Sequence, residues 1–318
     1  FPTARRAITA AMVEAGRYPG ANENKLREAI AKLHNVKPDH VVMACGSGEI
    51  LKLCTERLVS RMRGLVSALP TFESPASYAE QMERPVKAIP VTSTMHLDLD
   101  GMAAAARGAG LVFLCNPNNP TSTVHGAAAV KDFIARVRRE SPQTYILVDE
   151  AYHEYVEDPA YATMIPETRD PHVIVSRTFS KVFGMAGIRC GYAIAAPETA
   201  AQLEPWRVDS GVNQFASAAA MASLADTPAI RAEQARNKAL RATATAFFKN
   251  KGFTVAKSDA NFLFVHIKRE VQPVIAACFE KGVAVGRPFP PLTNWLRLSI
   301  GTEPEMTKAM DVLGKVLA

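Results

Sequence analysis

Seven short apolar runs, separated by helical stretches, constrain the fold of this chain more than any other feature. They lie at residues 41–44, 65–68, 86–90, 111–115, 145–148, 173–176 and 192–195. Runs that are apolar at every position fit strands buried on both faces, as in a parallel sheet covered by helices. Flanking Gly, Pro and Asn residues favour strands over buried helix segments. We therefore predict an α/β fold with a mainly parallel seven-stranded sheet.

The pattern changes after about residue 225. A long helix is predicted over residues 229–250, followed by strands at 261–266 and 295–299. These two strands bracket a helix at 272–281 and a short strand at 283–285, and a last helix begins at residue 303. We expect a large α/β domain at 16–225. A small α+β domain would comprise residues 1–15 and 226–318. The N-terminal helix predicted over residues 3–15, with Thr3 as a candidate cap, could nevertheless pack on either domain.

Composition excludes several classes of protein. The 318 residues are 48% hydrophobic and 21% charged, without a block of five like charges, so neither disorder nor a nucleic-acid-binding tail is indicated. Five cysteines without a CxxC pair fit reduced thiols better than disulfides or metal ligands. No apolar run reaches the roughly 18 residues of a membrane span. We expect a cytoplasmic protein without membrane or nucleic-acid partners; an export signal ahead of Phe1 stays open.

The segments that follow the apolar runs carry the polar residues of interest. In open parallel sheets, ligands bind beyond the carboxyl ends of the strands, so these segments are expected to meet at one rim. They are Gly46-Ser47-Gly48, Pro70-Thr71-Phe72, Asn116-Pro117-Asn118-Asn119-Pro120-Thr121, Asp149-Glu150-Ala151-Tyr152 and the stretch from 177 to 181.

Lys181 lies among hydroxyl groups and glycines just after the sixth run. A lysine amine can form a Schiff base with an aldehyde cofactor when burial and neighbouring cations lower its pKa. Thr178, Ser180 and Arg189 offer hydroxyl and guanidinium donors suited to a phosphate. A solvated surface lysine is the ordinary alternative.

Asp149 ends the fifth run and has three possible roles. It could cap a strand, bind a metal, or keep a pyridine nitrogen protonated so that the ring withdraws electrons. Tyr152 could then donate to the phenolic oxygen of the ring. Gly46-Ser47-Gly48 opens a helix and could bind an anion or form an ordinary turn. Phe72 could belong to the core or stack on a heterocycle.

Two further segments are candidates for substrate contact. The prolines of the loop at 116–121 fix φ and leave asparagine side chains free to bond outward, although a polar turn is the alternative. Arg297 alternates with apolar residues in the last predicted strand. A buried arginine needs an anion, which could be a substrate carboxylate or a structural acid.

Together, the order and spacing of these motifs resemble the fold-type I pyridoxal-phosphate aminotransferases of class I/II, and within them the histidinol-phosphate aminotransferase group. Tyr18-Pro19-Gly20, Gly46-Ser47-Gly48-Glu49-Ile50, the 178–189 stretch and Leu296-Arg297 add to the motifs above, so the resemblance spans nearly the whole chain. It implies an aspartate aminotransferase-like large domain, a small C-terminal domain, and pyridoxal 5'-phosphate as cofactor.

The resemblance also implies a role for each matching residue. Lys181, Asp149 and Tyr152 would be catalytic: Lys181 carries the cofactor as a Schiff base and moves the substrate proton, and Asp149 pairs with the pyridine nitrogen. Tyr152 and Asn119 would hold the phenolic oxygen, and Phe72 would stack on the ring. The remaining roles are phosphate binding by Gly46, Ser47, Gly48, Thr178, Ser180 and Arg189, substrate binding by Arg297, Arg287 and Asn119, and contact of Tyr18 with the cofactor of a partner subunit in a homodimer.

The chain departs from the family pattern at several positions. Ser122 stands where glycine usually follows Asn-Pro-Thr, and serine is poorer than glycine at positive φ. Phe72 replaces a common tyrosine, and Gly48 replaces a frequent acidic residue. The family's N-terminal arm would precede Phe1.

The implied function is transfer of an amino group from histidinol phosphate or an aromatic amino acid to a 2-oxo acid such as 2-oxoglutarate. One alternative is a pyridoxal-phosphate-dependent decarboxylase, similar to the threonine-phosphate decarboxylases. A second is a non-catalytic domain that binds the cofactor for regulation. Lys181, Asp149 and Tyr152 disfavour the regulatory domain, as does the lack of a helix-turn-helix segment.

Overall fold

The seven apolar runs all form strands of a single sheet in the computed structural model, which describes residues 1–318. In chain order they are β1 Val41–Ala44, β2 Leu65–Leu69, β3 Val86–Pro90, β4 Leu111–Cys115, β5 Tyr145–Asp149, β6 Val173–Thr178 and β7 Gly191–Ile194. Their order in the sheet is β1-β7-β6-β5-β4-β2-β3. Only β7 runs antiparallel, against β1 and β6, and the other pairs are parallel. The predicted mainly parallel sheet is confirmed.

Helices cover both faces of this sheet. They are α1 Pro2–Ala11, α2 Gly20–Leu33, α3 Ser47–Leu58, α4 Ser74–Gln81, α5 Leu99–Ala105, α6 Ala127–Glu140, α7 Pro197–Leu203 and α8 Gln214–Ala225. Alternate strand residues enter two separate cores: Val112 and Leu114 face one, whereas Leu111 and Phe113 face the other. This two-sided burial is why the inner strands are almost entirely apolar, whereas the edge strand β3 is largely exposed and contains Lys87.

The last third of the chain forms a second group of elements with its own core. Its members are α9 Thr227–Asn250, β8 Thr254–Val255, β9 Phe262–His266, α10 Val271–Glu280, β10 Trp295–Ser299 and α11 Glu303–Val316. The three strands form an antiparallel sheet in the order β10-β9-β8. None of the helices in the chain has both the length and the apolar character that a membrane crossing needs.

The predicted strand at 283–285 is wrong. Val283 N–H still belongs to the end of α10, where it donates to the Cys278 carbonyl at 3.0 Å, and only Gly286 N–H bonds to the neighbouring Arg297 carbonyl, at 2.9 Å. One bond does not make a ladder, so the Val-Ala-Val sequence forms no strand. The third strand of the small sheet is β8 instead.

The N-terminal helix does not pack as the sequence predicted. Ala4 of α1 lies in the core that contains α8, and the ring of Phe1 packs edge-on against Phe183 at 6.2 Å. Helix α1 therefore groups with the large sheet rather than with residues 226–318. Thr3 is not its cap, because the Thr3 hydroxyl donates to Asp226 Oδ2 at 2.6 Å.

Asp226 marks the junction between the two groups of elements. Its Oδ1 accepts from Ala229 N–H at 3.1 Å and so caps α9, which begins two residues before the predicted start. Its other carboxylate oxygen binds Thr3 of α1. A capped helix start at this position supports a domain boundary near residue 225, which stays a prediction.

Candidate active site

The carboxyl ends of the central strands lie side by side, as expected for neighbouring parallel strands. Cys115 of β4 is opposite Asp149 of β5, which is opposite Ser176 of β6. At the same edge, toward the β1 side of the sheet, Gly191 of β7 lies between Thr178 at the end of β6 and Ala44 at the end of β1. The polar segments that follow these strands therefore form one continuous surface.

The loop after β4 is fixed by its own asparagines. Asn118 Nδ2 donates to the Pro70 carbonyl at 3.1 Å, and Asn118 Oδ1 accepts from Thr71 Oγ1 at 2.6 Å, which ties the loop to the end of β2. Asn116 bonds to the backbone of His125 through both ends of its amide. Asn119 differs: its buried Oδ1 has no partner within the chain. Of the three asparagines, Asn119 is the one available to a ligand.

The substitution of serine for glycine at residue 122 does not remove the expected turn. Ser122 adopts a φ of 64°, the left-handed conformation that glycine would take with less strain. Its N–H donates to the Asn118 carbonyl at 2.8 Å, and its own carbonyl accepts from Asp259 N–H at 2.9 Å. The turn thus links the loop after β4 to the second group of elements.

Asp149 is almost completely buried and has a partner for each carboxylate oxygen. Ser176 Oγ donates to Oδ1 at 2.7 Å, and Cys115 Sγ lies 3.9 Å from Oδ2. Burial raises the pKa of Asp149 to about 6, although the Ser176 hydrogen bond and the nearby Lys181 charge oppose the rise. A cation in front of the carboxylate would favour its charged form.

Lys181 is within electrostatic range of both Asp149 and Arg297. Its Nζ is 5.2 Å from the centroid of the Tyr152 ring. Burial lowers the pKa of Lys181, and the Arg297 charge lowers it further, whereas Asp149 opposes the change. The neutral amine, which is the nucleophilic and basic form, is therefore more accessible than in a solvated lysine.

Arg297 reaches this surface from β10 of the second group. Its guanidinium carbon lies 4.0 Å from the centroid of the Phe262 ring, and that ring packs edge-on against Tyr152 with centroids 5.1 Å apart. The buried Nε of Arg297 has no hydrogen-bond partner within the chain. An unpaired buried guanidinium nitrogen is costly, so this position suits an anionic ligand.

A cradle with anion-binding character lies at the N-terminus of α3. Gly46 precedes the helix with a φ of 88°, and no side chain caps the helix, so the N–H groups of Ser47 and Gly48 are left without a partner. Arg189 Nη1 donates to Ser180 Oγ at 3.3 Å, and its Nη2 donates to the Cys45 carbonyl at 3.4 Å. Thr178 Oγ1 accepts from Ser180 N–H at 3.1 Å, so its hydroxyl hydrogen remains free to donate. These groups together fit a phosphate.

Two residues of this region were not singled out by the sequence argument. A Cβ on Gly191 would lie 2.4 Å from Ser47 N and 2.6 Å from Gly46 C, so only glycine allows β7 to approach the cradle. Ser176 holds Asp149 from the neighbouring strand. Neither residue could be found from the sequence alone. The role of Gly191 at the start of β7, and that of Ser176 beside Asp149, depends on which strands are neighbours in the sheet.

Four other predicted residues are partly or largely exposed in this chain. Phe72 is half-buried and packs against the core that contains α3 and α4. Gly48 lies in the first turn of α3 with open space around its Cα. Tyr18 is 90% exposed on the surface of this chain. Arg287 is half-exposed and forms an ion pair with Glu73.

The residues present fit a phosphorylated pyridine aldehyde. The cradle offers donors to a phosphate, Asp149 offers a buried carboxylate to a ring nitrogen, and Lys181 offers an amine to an aldehyde. The unpaired Asn119 Oδ1 and Arg297 Nε show that polar groups of this surface are unsatisfied by the chain itself.

Comparison with known proteins agrees with this geometry. A family model described as aminotransferase class I and II matches residues 1–313. A histidinol-phosphate aminotransferase from Symbiobacterium thermophilum is 36% identical over 319 residues, covering 99% of this chain and 87% of the relative. Another, from Limosilactobacillus fermentum, is 35% identical and covers 92% of this chain and 80% of the relative.

A solved structure extends the likeness to three dimensions. Histidinol-phosphate aminotransferase from Sinorhizobium meliloti, in complex with pyridoxal-5'-phosphate, matches with a TM-score of 0.93 and 25% identity, over all of this chain and 87% of that one. The chain therefore belongs to the class I and II aminotransferases. It is a pyridoxal-phosphate-dependent transaminase with the aspartate aminotransferase-like fold, and the predicted family, fold, cofactor and reaction type are confirmed.

Proposed function

We propose that this aminotransferase takes histidinol phosphate as its amino donor and a 2-oxo acid, such as 2-oxoglutarate, as its acceptor. The observation that carries the proposal is the grouping of Lys181, whose pKa is lowered, with the buried acid Asp149 and with Arg297, whose buried Nε is unpaired. The names of the relatives support histidinol phosphate as donor. Arg297 and Arg287 supply the positive charge that a phosphate ester needs.

Pyridoxal phosphate, when bound, supplies an aldehyde carbon and a ring that accepts electrons. We assign the phosphate to Gly46, Ser47, Gly48, Thr178, Ser180 and Arg189, the ring nitrogen to Asp149, and the ring face to Phe72. Asn119 and Tyr152 are assigned to the phenolic oxygen. Burial raises the pKa of Tyr152, so its hydroxyl stays protonated and can donate.

Lys181 performs the proton transfer in this proposal. Its neutral amine would accept the proton from the amino-bearing carbon of the donor and would return it to the aldehyde-derived carbon of the cofactor. Arg297 binds the anionic group of the donor and so fixes which bond of that carbon is activated. Arg297 lies over the Phe262 ring, Phe262 packs edge-on against Tyr152, and Lys181 Nζ lies near the Tyr152 ring, so these rings connect the two charged groups.

A spectroscopic titration tests the donor. The purified enzyme is loaded with pyridoxal phosphate, and histidinol phosphate, phenylalanine, tyrosine, glutamate and aspartate are added one at a time without acceptor. We expect histidinol phosphate to shift the visible absorption band of the loaded enzyme to that of pyridoxamine phosphate at the lowest concentration. A preference for phenylalanine or tyrosine would refute the proposed donor, and release of carbon dioxide would favour a decarboxylase.

We further propose a homodimer in which Tyr18 completes the site of the partner subunit. Tyr18 is a large side chain that its own chain leaves 90% exposed, next to Pro19 at the start of α2. A mixture of Tyr18→Ala and Lys181→Ala proteins tests this arrangement. In a random mixture about a quarter of the sites would regain both residues, so activity should exceed that of either parent. Activity no greater than the average of the parents would exclude sharing across subunits.

The cytoplasm is the proposed compartment. All five cysteines are free thiols, which fits a reducing environment. Cell fractionation with antibody detection would check this assignment, and recovery of the protein outside the cytoplasm would contradict it.

A further inference from the structure

An ion pair joins the two groups of elements beside the candidate substrate-binding residues. Glu73 follows Phe72 directly and is the residue that precedes α4. Arg287 lies between α10 and β10, and its Nη2 contacts Glu73 Oε1. The second terminal nitrogen, Nη1, donates to the Pro288 carbonyl at 2.9 Å. The guanidinium carbon lies 4.3 Å from the centroid of the Phe289 ring.

The ion pair of Glu73 and Arg287 is close enough to Arg297 to influence the pKa of its guanidinium. Burial lowers the pKa of Arg297; the Arg287 charge lowers it further, whereas Glu73 opposes the change. Glu73, Arg287 and Thr71 also line a cavity of about 270 Å³. A second acid, Glu80, also lines this cavity, and Arg287 is its one cation. An anion that enters the cavity therefore has Arg287 as its charged partner, and Glu73 already occupies it.

We propose that Glu73 is a specificity-determining residue of the aminotransferase reaction. Its carboxylate occupies Arg287 in the substrate-free enzyme, and a donor with an anionic side group has to displace it. The inference rests on the proposed function, because it describes how that same site admits its donor. A donor with an uncharged side group leaves the pair intact and gains nothing from its removal.

The size of the effect follows from the exposure of the pair. The side chains of Arg287 and Glu73 are 51% and 50% exposed, so solvent screens their attraction. Exposed pairs of this kind shift a binding equilibrium by a factor of about two to five. Removing the Glu73 charge should therefore tighten the binding of an anion at Arg287 by about that factor.

The test compares Glu73→Gln with wild-type enzyme, both loaded with pyridoxal phosphate so that the cofactor phosphate site is filled. The dissociation constant of inorganic phosphate is measured by calorimetry, and the KM of phenylalanine is measured in parallel. Glu83→Gln is the matched control, because it removes the same charge from another exposed pair, that with Arg61. We expect phosphate to bind about two- to five-fold more tightly to Glu73→Gln only, with the KM of phenylalanine unchanged.

A double-mutant cycle identifies the route of the effect. In an Arg287→Gln background, Glu73→Gln should change phosphate binding by clearly less than in the wild-type background, since its main effect runs through the contact with Arg287. Unchanged or weaker phosphate binding in Glu73→Gln would overturn the proposal, including binding that is undetectable in both proteins. An equal effect without Arg287 would also overturn it. The phosphate titration needs no turnover, so its outcome is independent of whether histidinol phosphate proves to be the donor.

Discussion

Gly46→Ala is the sharpest structural test of the phosphate cradle. The backbone of Gly46 has a φ of 88°, and an added Cβ would lie 2.2 Å from Arg189 Nη2 and 2.9 Å from Arg189 Cζ. The Gly46 ψ of 158° places it in a region that is essentially confined to glycine, where an L-residue costs about 1–3 kcal/mol. The guanidinium must also move, which breaks its contacts with Ser180 Oγ and the Cys45 carbonyl. The substitution therefore affects both the folded chain and the donor set.

The loss of cofactor affinity follows from the displaced arginine. A hydrogen bond between charged groups contributes about 1.5–3 kcal/mol, and each 1.4 kcal/mol is a factor of about ten in affinity. We expect pyridoxal phosphate to bind about 10- to 100-fold more weakly to Gly46→Ala. The dissociation constant is measured by absorbance titration of the cofactor-free protein, and thermal unfolding of the same sample reports the backbone cost.

Gly187→Ala is the matched control for this prediction. It makes the same change in the same stretch of chain as Arg189, but no atom lies within 4 Å of the added Cβ and the backbone is not at positive φ. We expect its cofactor affinity to stay near that of the wild type. Wild-type affinity in Gly46→Ala, or an equal loss in Gly187→Ala, would refute the assignment of this cradle.

Substitutions at four further residues test the remaining parts of the site. Lys181→Ala should abolish turnover and the absorption band of the loaded enzyme; near-native activity would overturn its assignment. Burial raises the pKa of Asp149 from 3.8 to about 6, so its contribution to the stability of the cofactor-free fold is present at low pH and is lost as pH rises. Relative to Asp149→Asn, the wild type should lose about 2 kcal/mol of unfolding free energy between about pH 4.5 and about pH 7.5 in urea titrations, and parallel profiles would contradict this. Ser176→Ala should raise the pKa of Asp149 further and extend that loss to higher pH, whereas Ser176→Thr should restore the wild-type profile if the hydroxyl is what matters. Arg297→Lys should raise the KM of anionic donors about 10- to 100-fold, because a bidentate contact is lost, and an unchanged KM would remove Arg297 from the donor site.

The large sheet could be predicted because its signal is local. Strands buried on both faces must be apolar at each position, and the polar segments after them must meet where parallel strands end. Both conditions can be seen in the order of residues alone. The sequence therefore placed Lys181, Asp149 and the loop at 116–121 at one rim, where the structure also has them.

The predictions that differ from the structure concern segments whose local pattern is compatible with more than one tertiary arrangement. Residues 283–285 have the composition of a strand, but after the end of α10 they pair with no neighbouring strand. Helix α1 is amphipathic and could cover either core, and only its packing shows that it lies on α8. In both cases the deciding interactions join residues far apart in sequence, which a local pattern does not contain.

The composition and order of the chain determined the sheet, the family and the set of candidate residues. Tertiary structure decided which members of that set are available to a ligand. Asn116, Asn118 and Asn119 are equivalent as sequence, yet hydrogen bonds to the Pro70, Thr71 and His125 regions occupy the first two and leave Asn119 Oδ1 unpaired. The physical reason is that hydrogen-bond partners and ion pairs depend on distances between separate elements, and those distances exist only after the chain has packed.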